Sequence, residues 1–85
     1  MKTFEYTIKD ELGIHARPAG LLVKAAKALD SKMTIEKDGK SADATKLFAV
    51  MGLGVKHADI IKITVDGGDE EASVKAMEEF FAANL

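Results

Sequence analysis

The chain has 85 residues, a net charge of −2 and no cysteine, and 47% of its residues are hydrophobic while 31% are charged. This length allows one compact domain without separate catalytic and substrate lobes, and the composition is that of a globular domain rather than a disordered or membrane-spanning chain. The lack of cysteine excludes disulfides, thiolate metal sites and thiol nucleophiles, and the weakly acidic charge argues against nucleic acid as the main partner.

The first predicted elements are a strand over residues 2–8, a turn over 10–13 and a helix from Ala16 to about Leu29. Apolar and polar residues alternate in the strand, as in a sheet with one buried face. In the helix, apolar residues recur at a spacing that places them on one side, which predicts an amphipathic helix. The positions that carry this periodicity are Ala19, Leu22, Val23 and Ala26.

The middle of the chain predicts a hairpin and a short helix. Apolar and polar residues alternate around residue 34 in a second strand, and the dipeptide Asp38-Gly39 favours the positive φ angles of a tight turn. A third strand over residues 40–43 completes the hairpin. We expect the short helix to span about residues 46–51.

The C-terminal part predicts a fourth strand and a last helix. Ile61, Ile63 and Val65 alternate with polar residues in the strand. Asp69 is a good N-cap, and the helix that it starts is expected to run to about Asn84. Its buried stripe is predicted to be Val74, Met77 and Phe81.

The predicted order of elements is therefore βαββαβα in a single domain over residues 1–85. Short connections return each long helix across the sheet and bring all helices to one face. We expect an α/β fold of the α+β type, with three helices on one face of a four-stranded, mainly antiparallel sheet.

The ends of the chain and its apolar runs bear on its location. Residues 1–5 lack the apolar stretch of a secretory signal, and the longest nearly apolar run, residues 47–55, is too short to span a bilayer. We expect a cytoplasmic protein.

The segment GIHARP at residues 13–18 lies where the predicted turn becomes a helix. His15 is thus expected at or beside the N-cap, next to first-turn N–H groups that have no helical partner. Such groups, together with the helix dipole, form a site for an anion. The dipole also disfavours an imidazolium, and neutral imidazole is the nucleophilic form. The segment therefore predicts a histidine that accepts a phosphoryl group.

Two residues of this segment are unique in the chain. Arg17 is the only arginine, against eleven lysines, and its planar guanidinium can bridge two phosphoryl oxygens. Pro18 is the only proline, and it stiffens the first helical turn. The alternative is that His15 only caps the helix and that its neighbours are ordinary first-turn residues.

The GIHARP segment, followed by Ala19 and the apolar helix, resembles the active-site signature of the HPr family. These are the histidine-containing phosphocarriers of the bacterial phosphoenolpyruvate:sugar phosphotransferase system. The similarity covers the whole chain and extends to residues 39–42, residues 47–54 and the last helix.

This resemblance implies an open-faced β-sandwich with strand order 1-4-2-3 and phosphorylation of His15 on Nδ1. It implies that phosphorylated enzyme I, charged by phosphoenolpyruvate, is the donor and that a sugar-specific enzyme IIA domain is the acceptor. Arg17 and the backbone N–H groups of Ala16 and Arg17 would hold the phosphoryl oxygens, with no metal and no cofactor. We expect a monomer that acts as a stoichiometric intermediate and not as an enzyme.

A surface for protein partners is predicted beside His15. Residues 1–40 carry eight basic and six acidic groups, whereas residues 41–85 carry four and eight, so a locally basic face could dock on acidic proteins. One arc of the first helix lies next to the histidine, and its residues are Ala16, Gly20, Lys24 and Lys27.

In the resembling family an exposed apolar patch on the short helix contacts enzyme I and other partners. The matching positions here are Leu47, Phe48 and Met51. The alternatives are a merely solvated lysine face and burial of Phe48 or Met51 in the core.

Three positions depart from the pattern of the family. Lys46 replaces a serine that an ATP-dependent kinase phosphorylates in many Gram-positive members, and Thr45 is expected to cap the short helix instead of replacing that serine. Leu12 replaces a small polar residue and is familiar from nitrogen-branch relatives, so the branch stays open. His57 is expected to be an ordinary loop residue.

Two other functions remain possible from the sequence. A nitrogen-branch phosphocarrier would use the same histidine with different partners. A regulatory module without phosphoryl transfer would bind its target through the apolar patch. A metal-dependent enzyme is not supported, because two widely separated histidines and no cysteine give no ligand cluster.

Overall fold

The computed structural model of the chain describes residues 1–85, and its elements follow the predicted βαββαβα order. The strands are β1 (Lys2–Thr7), β2 (Lys32–Lys37), β3 (Lys40–Asp43) and β4 (Ile60–Asp66). The helices are α1 (Ala16–Lys27), α2 (Leu47–Gly52) and α3 (Glu70–Asn84). No helix is long and apolar enough to cross a membrane.

The four strands form one antiparallel sheet in the order β1-β4-β2-β3, which confirms the expected topology. Ile63 of β4 stands at its centre, opposite Phe4 of β1 on one side and Ile35 of β2 on the other. Alternate β4 residues are buried under the helices while those between them lie on the open face or are half-buried. The sheet therefore has one face covered and one face open to solvent.

The turn between β2 and β3 has the predicted geometry. Asp38 and Gly39 have φ angles of 51° and 80°, and the strands close on the pair Lys37 and Lys40. Two successive positive φ angles match the right-handed twist of the flanking strands, as in the preferred two-residue hairpins.

The last helix packs on the sheet as predicted, with one addition. Asp69 caps it by accepting the N–H of Ala72 at 3.2 Å, and Met77 and Phe81 are buried, whereas Val74 is only partly buried. The unexpected core residue is Ser73, whose hydroxyl lies 2.8 Å from that of Ser31. This pairing satisfies a buried polar group.

The first helix ends earlier than predicted. In α1, the N–H groups of Ala28 and Leu29 donate three residues back, to Ala25 and Ala26, so the helix closes in a tighter turn after Lys27.

The prediction that Thr45 caps the short helix is wrong. The N-cap of α2 is Lys46, without a side-chain capping bond. The N–H and the hydroxyl of Thr45 instead donate to Oδ1 of Asp43, at 2.9 and 2.7 Å. These bonds lower the pKa of Asp43, since they favour its ionised form. Both donors of Thr45 are thus bound to the carboxylate at the end of β3, which holds Thr45 in the turn before α2.

Candidate functional site

His15 is the N-cap of α1, as predicted from the sequence. Its backbone is extended, with φ −104° and ψ −176°, and its carbonyl accepts the N–H of Ala19 at 2.9 Å. The imidazole makes no capping hydrogen bond, and its side chain is 37% exposed. The ring is therefore available to a reactant from solvent.

The first turn of α1 offers donors beside the ring. The backbone N–H groups of Ala16 and Arg17 donate to no other group of the chain, and Pro18 has no N–H. The guanidinium of Arg17 makes no ion pair with any carboxylate. Two N–H groups and one guanidinium are thus left to bind the oxygens of an anion.

The loop that carries His15 is fixed by close backbone contact. Gly13 has a φ of +68° and donates its N–H to the carbonyl of Asp10 at 3.0 Å, while Ile14 donates to the carbonyl of Val55 at 3.1 Å. A Cβ at Gly13 would overlap the Val55 carbonyl and lie 2.7 Å from Cα of Lys56. Only glycine therefore fits at this position.

The segment that supports this loop, residues 53–59, is held by a lysine that the sequence analysis missed. Nζ of Lys37 donates to the carbonyl of Gly54 at 2.7 Å and lies 2.8 Å from Oδ2 of Asp59. The same Oδ2 accepts the N–H of Lys56 at 2.7 Å. The bond from Lys37, followed by that from Lys56, lowers the pKa of Asp59. A lysine at the end of a strand gives no sequence signal for such a role.

A shallow cleft of about 210 Å³ opens beside the histidine. It lies between the start of α1 and the end of α3, and its lining residues are Asp10, His15, Arg17, Pro18, Leu21, Ala83 and Asn84. Oδ1 of Asp10 lies 3.9 Å from Nε2 of His15. The sequence places Asp10 in a turn but does not predict that it lies near the His15 ring, because that distance depends on how the loop folds.

The predicted docking residues lie on the surface. In α2, Phe48 is 86% exposed, and Leu47 and Met51 are 36% and 38% exposed, whereas Val50 on the opposite side is fully buried. Phe48 therefore does not fold into the core. On α1 the predicted arc is exposed as well, and its residues are Ala16, Gly20, Lys24 and Lys27. That partner proteins dock on this surface stays a prediction.

The positions that depart from the family pattern are exposed too. Leu12, directly before the Gly13 turn, is 73% exposed, and Lys46 and His57 are also exposed. No group of three or more histidine, aspartate or glutamate side chains is close enough to hold a metal ion.

Comparison with known proteins gives consistent matches over the whole chain. The family model of the PTS HPr component phosphorylation site matches residues 2–83. Phosphocarrier protein HPr of Mycoplasma genitalium is 36% identical over 85 residues, which cover 99% of this chain and 97% of that protein. The structure of HPr-C-His from Thermoanaerobacter tengcongensis superposes with a TM-score of 0.92 and 36% identity over 99% of this chain and 94% of that one. An HPr dimer from the same organism gives a TM-score of 0.76 at 36% identity, covering 98% and 95% of the two chains.

Proposed function

The chain belongs to the HPr family of phosphocarrier proteins, and we propose that it accepts a phosphoryl group on Nδ1 of His15 and passes it to another protein. The observation that carries this proposal is the arrangement at the start of α1. An exposed imidazole at the N-cap stands beside two backbone N–H groups without partners and an arginine without an ion pair.

The transfer would use these groups as follows. The lone pair of Nδ1 attacks the phosphorus, and the bond between the phosphorus and the donor atom breaks, leaving its electron pair on the donor. The N–H groups of Ala16 and Arg17 and the Arg17 guanidinium donate to the phosphoryl oxygens, each bond contributing about 1.5–3 kcal/mol. Pro18 limits motion of the turn that carries these donors. Passing the group on is the same step in reverse.

The partners follow from the family and from the surface around the histidine. We propose phosphorylated enzyme I as the donor and enzyme IIA domains as acceptors, in a cytoplasmic sugar phosphotransferase system. The chain would act as a monomeric, stoichiometric intermediate rather than as an enzyme. Both partners would dock on the exposed apolar residues of α2 and on the basic arc of α1.

A direct test is phosphorylation of the purified protein with phosphoenolpyruvate and enzyme I. We expect one acid-labile, alkali-stable phosphate per chain, located on His15 by mass spectrometry. His15→Ala must abolish it, and His57→Ala, which changes the only other histidine, must leave it intact. Phosphate that persists in His15→Ala would contradict the proposal.

A second candidate function is a regulatory module that binds its target without phosphoryl transfer. The observation that favours it is the exposed apolar patch, which needs no histidine to bind a partner. In that case wild type would take up no phosphate, and His15→Ala would bind the target as well as wild type does.

The choice between sugar and nitrogen branches depends on the acceptor. The exposed Leu12 stands next to the loop of His15, where an acceptor must approach. Transfer of phosphate from the labelled protein to a panel of acceptor domains from both branches, with Leu12→Ser beside wild type, would assign the branch.

A further inference from the structure

We propose that Asp10 is a positioning residue for His15, one that keeps the ring proton on Nε2 and thereby leaves the lone pair of Nδ1 to the phosphoryl group. This inference rests on the proposed function, and it adds a residue outside the GIHARP segment to the site.

The carboxylate of Asp10 is held in place by its own hydrogen bonds. Oδ1 accepts the N–H of Leu12 at 2.8 Å. The backbone of Asp10 is fixed at both ends, because its N–H donates to the backbone oxygen of Leu85, the last residue, at 2.8 Å and its carbonyl accepts the N–H of Gly13 at 3.0 Å. The charge therefore stays at one place relative to the ring.

The nitrogen that faces this charge is Nε2, at 3.9 Å from Oδ1. The distance is too long for a direct hydrogen bond, so the effect is electrostatic. A negative charge beside Nε2 favours a proton on that nitrogen. In a neutral imidazole only one nitrogen carries a proton, so Nδ1 is left with its lone pair.

Asp10 has the only acidic side chain that lines the cleft; Leu85, the last residue, whose backbone oxygen accepts the N–H of Asp10, is not among the lining residues. Arg17 is the one other charged residue there besides the histidine, and α3 contributes only the uncharged Ala83 and Asn84. Arg17 is thus left to bind the phosphoryl oxygens, whereas Asp10 is the charged group that faces Nε2 of the ring.

The same carboxylate acts again when the bond to phosphorus forms. Nδ1 gives its lone pair to the phosphorus of the donor protein's phosphoryl group, and the donor atom keeps the electrons of the broken bond. The ring of His15 retains its proton on Nε2 and becomes positively charged. Asp10 then stabilises that charge, so it favours the phosphorylated state as well as the reactive tautomer.

The test is ¹⁵N NMR of the imidazole in Asp10→Asn, at a pH where the ring is neutral. Asparagine keeps an oxygen for the Leu12 N–H and removes only the charge. The ratio of the Nε2–H to the Nδ1–H tautomer should fall about two- to fivefold, the size of an interaction between partly exposed charges. Glu11→Gln makes the same change of charge at an exposed neighbour that does not line the cleft, and should leave the ratio unchanged.

An unchanged ratio in Asp10→Asn, or an equal fall in both variants, would overturn the proposal. If Asp10→Asn does not fold, Asp10→Ser, whose hydroxyl can also accept the Leu12 N–H, provides the same comparison. The initial rate of phosphorylation should fall in the same variant, because the fraction of rings with a free lone pair on Nδ1 falls with the tautomer ratio. The NMR measurement needs no phosphoryl donor, so the tautomer ratio alone decides the role of Asp10. A wild-type protein that takes up no phosphate would instead contradict the proposed function.

Discussion

The carbonyl group of Val55 lies directly against Gly13, and the N–H of the next residue, Ile14, donates to it at 3.1 Å. This contact joins the loop before His15 to the segment after α2. His15 and the apolar patch of α2 are therefore both linked to this one segment. Substitutions in that support should affect the site without touching the ring.

Gly13→Ala should destabilise the protein more than an ordinary glycine substitution at positive φ. An alanine there meets the unfavourable backbone angle, which costs about 1–2 kcal/mol, and also overlaps the Val55 carbonyl. We expect a loss of about 3 kcal/mol or more in the free energy of unfolding, measured by urea denaturation. Gly39→Ala is the matched control, since Gly39 has a φ of +80° and open space at its Cβ position. Equal losses in the two variants would show that the contact with Val55 is unimportant.

The sequence predicts the elements of the fold because their signals are local. Alternation at Ile61, Ile63 and Val65, the Asp38-Gly39 turn and the Asp69 cap each depend on neighbouring residues, and each is found in the structure. The position of His15 at the start of α1 could be predicted for the same reason, because the signals of a helix start also lie in neighbouring residues.

Two of the remaining features depend on residues that are distant in sequence. Lys37 reaches Gly54 and Asp59 across the fold, and Ser73 pairs with Ser31 from another element. Thr45 was assigned wrongly because its N–H and its hydroxyl both donate to the carboxylate of Asp43, which holds it in the turn before α2. Such choices depend on three-dimensional positions that composition and periodicity do not encode.

Gly20→Ala should stabilise the protein and weaken docking at the same time. Gly20 lies in α1, where glycine costs about 0.8–1 kcal/mol relative to alanine, and no atom of the chain lies near the position of a Cβ. The free energy of unfolding should rise by about that amount. If Gly20 is there to let a partner approach α1 closely, the Kd for enzyme I should increase in the same variant. A stabilised protein with an unchanged Kd would remove Gly20 from the docking surface.

Lys37→Met should reduce the loss of stability in acid. The pKa of Asp59 is lowered from its usual 3.8, first by the hydrogen bond from Lys37. Because the pKa of Asp59 is lower in the folded than in the unfolded state, its ionised carboxylate stabilises the fold fully at any pH above the unfolded-state pKa. This contribution disappears as the pH falls through the folded-state pKa, which lies below 3.8. Wild type should therefore exceed Lys37→Met in Tm near neutral pH, and the difference should shrink below about pH 4.

The matched control for this experiment is Lys62→Met, which removes a lysine from the open face of the sheet. Its Tm difference from wild type should not follow the titration of Asp59. A constant difference between wild type and Lys37→Met from about pH 2 to 6 would mean that Lys37 acts through its bond to Gly54 and its packing, without a contribution from the charge of Asp59.

This protein should not be phosphorylated by the ATP-dependent kinase that modifies a serine at position 46 in many relatives. Position 46 is a lysine, and the neighbouring Thr45 donates its hydroxyl to Oδ1 of Asp43 at 2.7 Å. A phosphate on Thr45 would stand beside that carboxylate and be repelled by it. Mass spectrometry after incubation with kinase and ATP should show no added phosphate, and a phosphorylated Thr45 would contradict this prediction.

Phe48→Ala should separate binding from folding. With 86% of Phe48 exposed, truncation removes little buried surface, so the free energy of unfolding should change by less than about 0.5 kcal/mol. An exposed aromatic residue is the kind of side chain that anchors a protein interface, so its loss should weaken binding to enzyme I by about 2 kcal/mol, or roughly 30-fold in Kd. Ile60→Ala is the control, because Ile60 is 60% exposed on the open face of the sheet, opposite Thr7. Isothermal titration of both variants tests the assignment of Phe48 to the docking surface. Similar losses would mean that exposed apolar area in general drives binding, whereas a loss confined to Phe48→Ala would place the partner on α2.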